Sequence, residues 1–304
     1  MADVKLFQLK PGAVTELEGR AVALEKSLQD IFEANLDALL GVRFLASEYR
    51  TTNRGRMDTL GIDENNCPVI IEYKRSTNEN VINQGLFYLD WLMDHRADFR
   101  LLVMDKLGKD VSDLIEWSAP RLICIAGDFT KYDSHAVNQM NRNIELIRYV
   151  RFESDLLLLE QITAASGGNV SVKVVDDPDA EFSGKTYKTV SEYLAQSDQE
   201  LKDRFEAVRA YLAALGDDVQ EKTLKFYFAF RRIKNFACVE VRPQTGKVLV
   251  YLKVDPDSIE PLAGITRDVR KIGHYGTGDL EVSISSETDF ERAKPLFDAS
   301  YEAS

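Results

Sequence analysis

The chain has 304 residues, 44% of them hydrophobic and 29% charged, with a formal net charge of −12 at pH 7. That length accommodates two domains with separate cores, and no run approaches the roughly 18 apolar residues of a membrane span, so disordered and membrane classes are excluded. Three widely spaced cysteines (Cys67, Cys124, Cys238) and three scattered histidines (His95, His135, His274) argue against a disulfide framework, a structural zinc site and a histidine-based triad.

The opening MADVKLFQLKPG has no sustained apolar core, so a cytoplasmic protein is expected. The first predicted element is a helix over Ala23–Leu40, where Leu24, Leu28, Ile31, Leu36, Leu39 and Leu40 fall at helical spacing with Glu25 and Glu33 at the polar boundary. A hairpin follows in Gly55–Ser76: Met57, Leu60 and Ile62 precede the turn-rich Asp63–Pro68, and Val69, Ile70 and Ile71 resume the apolar pattern. With the turn centred on Asn65 and Asn66, paired positions sum to 131, which sets Asp58 opposite Tyr73 and beside both Glu72 and Lys74. Glu72 and Lys74 then share a face, roughly 7 Å apart by the strand period of two.

Two carboxylates and a lysine at one sheet edge suit phosphodiester hydrolysis. The phosphorus is shielded by negative oxygens, and hard carboxylate oxygens hold Mg²⁺ or Mn²⁺, which supplies both the nucleophile and the neutralising charge. Lys74 beside the metal is placed to orient the attacking water and to stabilise charge growing on the phosphate. Taken alone, Glu-x-Lys on a strand reads more often as a solvated face with a cross-strand pair.

The flanking elements give the motif weight. Asn80–Asp94 is a second amphipathic helix with Gln84 and Tyr88 one turn apart. Then come an expected strand at Phe99–Met104, a short helix at Val111–Trp117, a strand at Leu122–Ala126, a helix at Ser134–Asn143, and strands at Ile144–Arg151 and Leu156–Gln161. This alternation predicts a three-layer α/β sandwich around a mixed sheet over residues 1–164. Residues 165–185, with Ser166-Gly167-Gly168 and Asp176-Asp177-Pro178-Asp179, lose periodicity and read as a linker.

Residues 186–304 read as a small α+β domain. After Val190–Leu194 comes a helix over Asp198–Leu215, ended by Gly216. Strands are expected at Thr223–Phe230, Ala237–Arg242, Lys247–Val254 and Leu280–Ser285, and a closing helix at Thr288–Tyr301. Between Lys222 and His274 eleven lysines and arginines face five acidic residues, with Tyr227, Phe228, Phe230 and Phe236 interleaved, a pattern shared by solvated strand faces and nucleic-acid footprints. The glycine-rich Arg270–Gly278 lacks the ending and spacing of a P-loop and reads as a mobile turn.

Gly55, Arg56 and Asp58, then Glu72-Tyr73-Lys74-Arg75, then Gln84 with Tyr88, resemble the PD-(D/E)xK nuclease superfamily, and within it the NucS/EndoMS-like catalytic domain. The resemblance runs from about residue 15 to 162, through Pro120–Ala126 and Glu145–Arg148. It implies a restriction-endonuclease-like fold and a Mg²⁺- or Mn²⁺-dependent endonuclease acting on DNA rather than RNA. It also implies Asp58, Glu72 and the Tyr73 carbonyl as metal ligands and Lys74 as the catalytic lysine. Gln84 and Tyr88 would line the site and handle the substrate strand, with Arg56 and Arg75 toward the nucleic acid. A helical glutamate completes such sites; Glu25 is the first choice and Glu33 the second, although the family pattern carries Leu-Glu where this chain has Leu28-Gln29. Relatives work as dimers, so a homodimer is expected. The second domain resembles a bacterial domain of unknown function whose chains are sometimes labelled predicted transport proteins, and it would aid substrate or protein-partner recognition. The alternatives are a catalytically silent nucleic-acid-binding protein and a defence-system component whose cleavage is gated by a partner.

Overall fold

A computed structural model describes residues 4–20, 25–74, 81–153, 155–165 and 188–304. The chain divides into two compact units: Met1–Ile62 with Pro68–Ile115 and Pro120–Gly167, and Asp63–Cys67 with Glu116–Ala119 and Gly168–Ser304. The linker expected over residues 165–185 lies, apart from Ala165, outside the described residues.

The first unit is mixed α/β. β1 (Leu6–Lys10) and β2 (Ala13–Leu17) form a separate two-stranded hairpin. Then β3 (Gly19–Arg20), β4 (Val42–Arg50), β5 (Arg56–Asp63), β6 (Pro68–Lys74), β7 (Arg121–Ala126), β8 (Asn143–Phe152) and β9 (Leu156–Ala165) make one sheet in the order β3-β8-β7-β6-β5-β4, with β9 paired to β8. β6, β7 and β8 run parallel, while β5 is antiparallel to β6 and β9 to β8. The parallel strands read as continuous apolar runs because helices cover both faces. α1 (Glu25–Glu33) lies on one face, with Phe32 5.6 Å from the Tyr73 ring, and α2 (Leu36–Leu40) follows it. α3 (Val81–Asp94) lies on the other, so close that a Cβ on Gly85 would fall 2.4 Å from Leu122. Helix, sheet, helix is the three-layer order that the alternation of elements predicts.

Several expectations are corrected. Phe99–Met104 is no strand but part of α4 (Arg96–Leu107), where Phe99 and Val103, one turn apart, are buried while Leu101 and Met104 are exposed. An apolar run of four residues does not by itself distinguish the two periods. The helix expected over Val111–Trp117 is the single turn α5 (Lys109–Ser112). The helix expected at Ser134–Asn143 is α6 (Lys131–Asn138), begun earlier by a capping box between Thr130 and Asp133.

The β5–β6 register also differs from expectation. Asp63 N–H donates to the Cys67 carbonyl (2.9 Å), and the Asp63 carboxylate accepts from the amides of Asn65 and Cys67. Asn66 takes a left-handed φ of 60°, closing a three-residue loop. An odd loop makes paired positions sum to 130, as in Thr59↔Ile71, so Asp58 falls level with Glu72 rather than Tyr73.

The second unit carries α7 (Val190–Gln196), α8 (Gln199–Ala213) and an antiparallel sheet of β10 (Gln220–Thr223), β11 (Phe228–Arg231), β12 (Asn235–Arg242), β13 (Lys247–Leu252), β14 (Thr266–Asp268) and β15 (Leu280–Ile284), closed by α9 (Glu287–Glu302). The single strand expected over Thr223–Phe230 is two, β10 and β11, paired Thr223↔Phe228. α8 starts at its Asp198 cap and ends at Ala213, before Gly216. One sheet face buries Val239, Val250 and Val282 against Phe205, Val208 and Leu212 of α8 and Phe297 of α9. The interleaved aromatics Tyr227, Phe228, Phe230 and Phe236 are buried, which removes them as bases' stacking partners. Arg232, Arg242, Arg267 and Arg270 pair with Asp218, Glu240, Glu281 and Asp268. The loop at Arg270–Gly278 is pinned rather than loose: His274 stacks on Tyr251 and Tyr275 on Phe226, each with ring centroids 4.4 Å apart.

Candidate active site

The β5–β6 ladder runs from Ile62↔Pro68 to Thr59↔Ile71. Beyond it the carboxylates of Asp58 and Glu72 reach across: Asp58 N–H donates to Glu72 Oε1 (3.2 Å), and Tyr73 N–H donates to Asp58 Oδ2 (3.0 Å). The two acidic side chains thus fill a fork between strands, and each satisfies an amide that the ladder leaves unpaired. Glu72 is fully buried, and its second oxygen, Oε2, has no hydrogen-bond partner.

Lys74, two residues on, has a side chain only 12% exposed, and its Nζ lies 3.8 Å from Glu25 at the start of α1. Of the two helical glutamates, Glu25 therefore stands beside the expected site. Glu33 instead accepts from Thr59 Oγ1 (2.6 Å) and from Gln29 Nε2 (2.8 Å) on the opposite sheet face. Gln29 also donates to the Asp58 carbonyl (2.7 Å), tying α1 to the backbone of β5 at the fork.

Gln84 and Tyr88 meet on α3, with Gln84 Nε2 donating to the Tyr88 hydroxyl (3.3 Å), which also accepts from the Arg56 amide (3.2 Å). Gly55 permits this approach, because a Cβ there would sit 2.5 Å from the Tyr88 ring. Asp58, Glu72, Tyr73, Lys74, Glu25, Arg56, Gln84 and Tyr88 are thereby gathered at one end of β5 and β6. Arg75 lies outside the described residues.

Burial raises the Asp58 carboxyl above the usual range, opposed by the Tyr73 amide and Lys74 and reinforced by the charges of Glu48 and Glu25. Burial acts more strongly on Glu72, which together with the nearby Asp58 charge is pushed up to about 9. A fully buried carboxylate with an unpartnered oxygen beside a second carboxylate is the donor set that a hard divalent cation satisfies. Among the described residues no three His, Cys, Asp or Glu side chains converge as a ready-made metal cluster. The fork itself offers two carboxylates.

Glu48, on β4, escapes the sequence reading. Its Oε2 lies 2.6 Å from Arg56 Nε, and its charge bears on both Asp58 and Glu72. The signal was present in the TTNRG turn between Arg50 and Arg56, closed by Thr51 N–H to the Gly55 carbonyl (3.0 Å), which sets Glu48 and Asp58 equally far from a chain reversal.

A Haemophilus influenzae protein described as "Uncharacterized protein" is 30% identical to this chain over 289 residues, covering 93% of this chain and 94% of that one. The two belong to one family. Within this family's shared length, residues 190–304 match the "Domain of unknown function (DUF5655)". The crystal structure of a repair endonuclease from Pyrococcus abyssi aligns with 44% of this chain and 51% of its own, at 16% identity and a TM-score of 0.29, too low to establish a shared fold. No helix among the described residues is long and apolar enough to cross a membrane.

Proposed function

We propose that the chain is a divalent-metal-dependent phosphodiesterase of the PD-(D/E)xK class, an endonuclease acting on DNA. The observation that carries this reading is the fork of Asp58 and Glu72, with Glu72 Oε2 buried and unpartnered and Lys74 two residues away. Asp58, Glu72 and the Tyr73 carbonyl would hold Mg²⁺ or Mn²⁺. When bound, such an ion lowers the pKa of a water and neutralises charge on the phosphate.

The chain's own residues do the remaining work. Lys74, largely shielded from solvent and beside Glu25, presents a fixed positive charge at the edge of the fork, where it stabilises charge accumulating on a phosphoryl oxygen. The Gln84–Tyr88–Arg56 chain locks the entrance to β5, so that the Arg56 side chain, 61% exposed, is offered toward a phosphate backbone. Gln29 fixes the Asp58 carbonyl and so the height of Asp58 in the fork. The DUF5655 region would add substrate or partner recognition.

The net charge of −12 favours one further reading, in which a partner supplies the positive surface that long DNA requires and gates cleavage. Cleavage of labelled single-stranded, duplex and branched DNA and of RNA in Mg²⁺ or Mn²⁺, wild type against Asp58→Ala, tests the proposal. Metal-dependent cutting lost in the variant is the expected result. Equal cutting by both proteins rejects the site.

A further inference from the structure

Glu48 has a backbone that its residue type rarely adopts, with φ of 53° inside β4, and β-strand residues other than glycine pay for such a conformation. Such strain concentrates where a side chain must be aimed. Its target is Arg56, whose Nε lies 2.6 Å away. Arg56 and Asp58 are two apart on β5 and therefore share a face, so Glu48 lies on the Asp58 side of the sheet. Glu48 thus stands beside the two-carboxylate fork without joining it, and one oxygen of that fork, Glu72 Oε2, is buried with no partner.

We propose that Glu48 is a third carboxylate of the metal site, restrained by Arg56, and that it turns from the guanidinium to the ion when a divalent cation binds. The inference rests on the metal-dependent reading above. The exchange is feasible because the Arg56 side chain is 61% exposed, and an ion pair so open to water is easily given up. By the same logic, a phosphate that draws Arg56 away leaves Glu48 to the cation, so substrate and metal would favour one another's binding.

The test is calorimetric titration with Mn²⁺ alone, without nucleic acid, on the full-length chain and three variants. Glu48→Gln is expected to weaken Mn²⁺ binding about tenfold, the cost of losing one outlying ligand contact. Arg56→Ala is expected to tighten it about two- to fivefold, because the competing partner is gone. The double variant should match Glu48→Gln, since Arg56 acts only through Glu48. Melting curves verify that each variant is folded, and the exposure of the pair predicts little change. Wild-type affinity in Glu48→Gln, or tightening by Arg56→Ala that survives in the double variant, overturns the inference while leaving the two-carboxylate site intact. Absence of Mn²⁺ binding by wild type removes the metal reading itself, and this inference with it.

Discussion

Glu72 and Glu145 lie two strands apart in one sheet, both essentially without exposure, yet their surroundings differ in kind. Glu145 takes a bidentate grip from Arg121, with Nε and Nη2 each 2.8 Å from a separate carboxylate oxygen. Glu72 has one oxygen on the Asp58 amide and the other on nothing, with a second carboxylate as neighbour. A buried charge that is fully paired roughly breaks even against its lost hydration, whereas a buried carboxyl left half-paired is pushed toward its neutral form and carries an unsatisfied oxygen. The first kind holds a sheet together. The second is where a site for an added cation is expected.

The largest effect that sharpens this contrast is on activity. Glu72→Gln should lower cleavage at least about a thousandfold, about 4 kcal/mol of barrier, with Asp58→Ala and Lys74→Ala also losing it. Its melting temperature in chelator should not fall, because among the described residues the side chain accepts from one amide, which Gln still serves. Mn²⁺ should raise the melting temperature of wild type and not of the variant. A metal-dependent shift of wild-type size in Glu72→Gln breaks the contrast.

The mirror experiment falls on stability. Arg121→Ala takes the bidentate partner from the buried Glu145 charge and should cost about 3–5 kcal/mol in a denaturant melt. Arg121→Met with Glu145→Leu, which removes both charges and keeps the volume, should recover most of that loss. If the double variant is as unstable as the single, the pair is something more than a satisfied ion pair. A smaller effect is expected at the rim of the fork: Gln84→Ala loses its bond to Tyr88 and should slow cleavage about tenfold while Mn²⁺ affinity is retained. An unchanged rate returns that helix face to plain packing.

How much of this was legible in the chain depends on how local each signal is. Glu72, Lys74, Gln84 and Tyr88 sit within two adjacent elements, so alternation and helical spacing place them on their faces without knowledge of the rest. The register of Asp58 needed the left-handed Asn66, a choice between even and odd loops that composition leaves open. The meeting of Glu25 with Lys74 depends on how α1 crosses the sheet, which no pattern encodes, and Glu33, equally acceptable by spacing, is taken up by Thr59 and Gln29. Phe99–Met104 failed because its apolar run reads equally as strand or helix until Phe99 and Val103 are seen to share a buried side. Glu48 was missed because its strand was not anticipated, so the carboxylate across from Asp58 had no place in the hairpin.

A third buried glutamate lies between the two extremes and gives the finest test. Glu240, 3% exposed on β12 of the second unit, pairs with Arg242 through one oxygen and leaves Oε1 without a partner. Burial raises its carboxyl above 4.5, opposed by Arg242 and His274 and by the Tyr275 amide, while Glu281 adds to the rise; Tyr251, from β13, also feels its charge. With the folded value above the unfolded one, the unfolded chain releases this proton first as pH rises. The stability tied to the protonated form is therefore complete below about 4.5 and is lost as pH climbs through the folded value. Glu240→Gln stays neutral throughout. Its melting temperature relative to wild type should accordingly rise between about pH 4 and pH 8, by an amount of order 1 kcal/mol in stability, the scale of one unsatisfied buried polar group. A difference that stays flat across that range would mean that Arg242 compensates Glu240 as fully as Arg121 does Glu145, and that an unpartnered oxygen alone does not mark a buried carboxylate as costly.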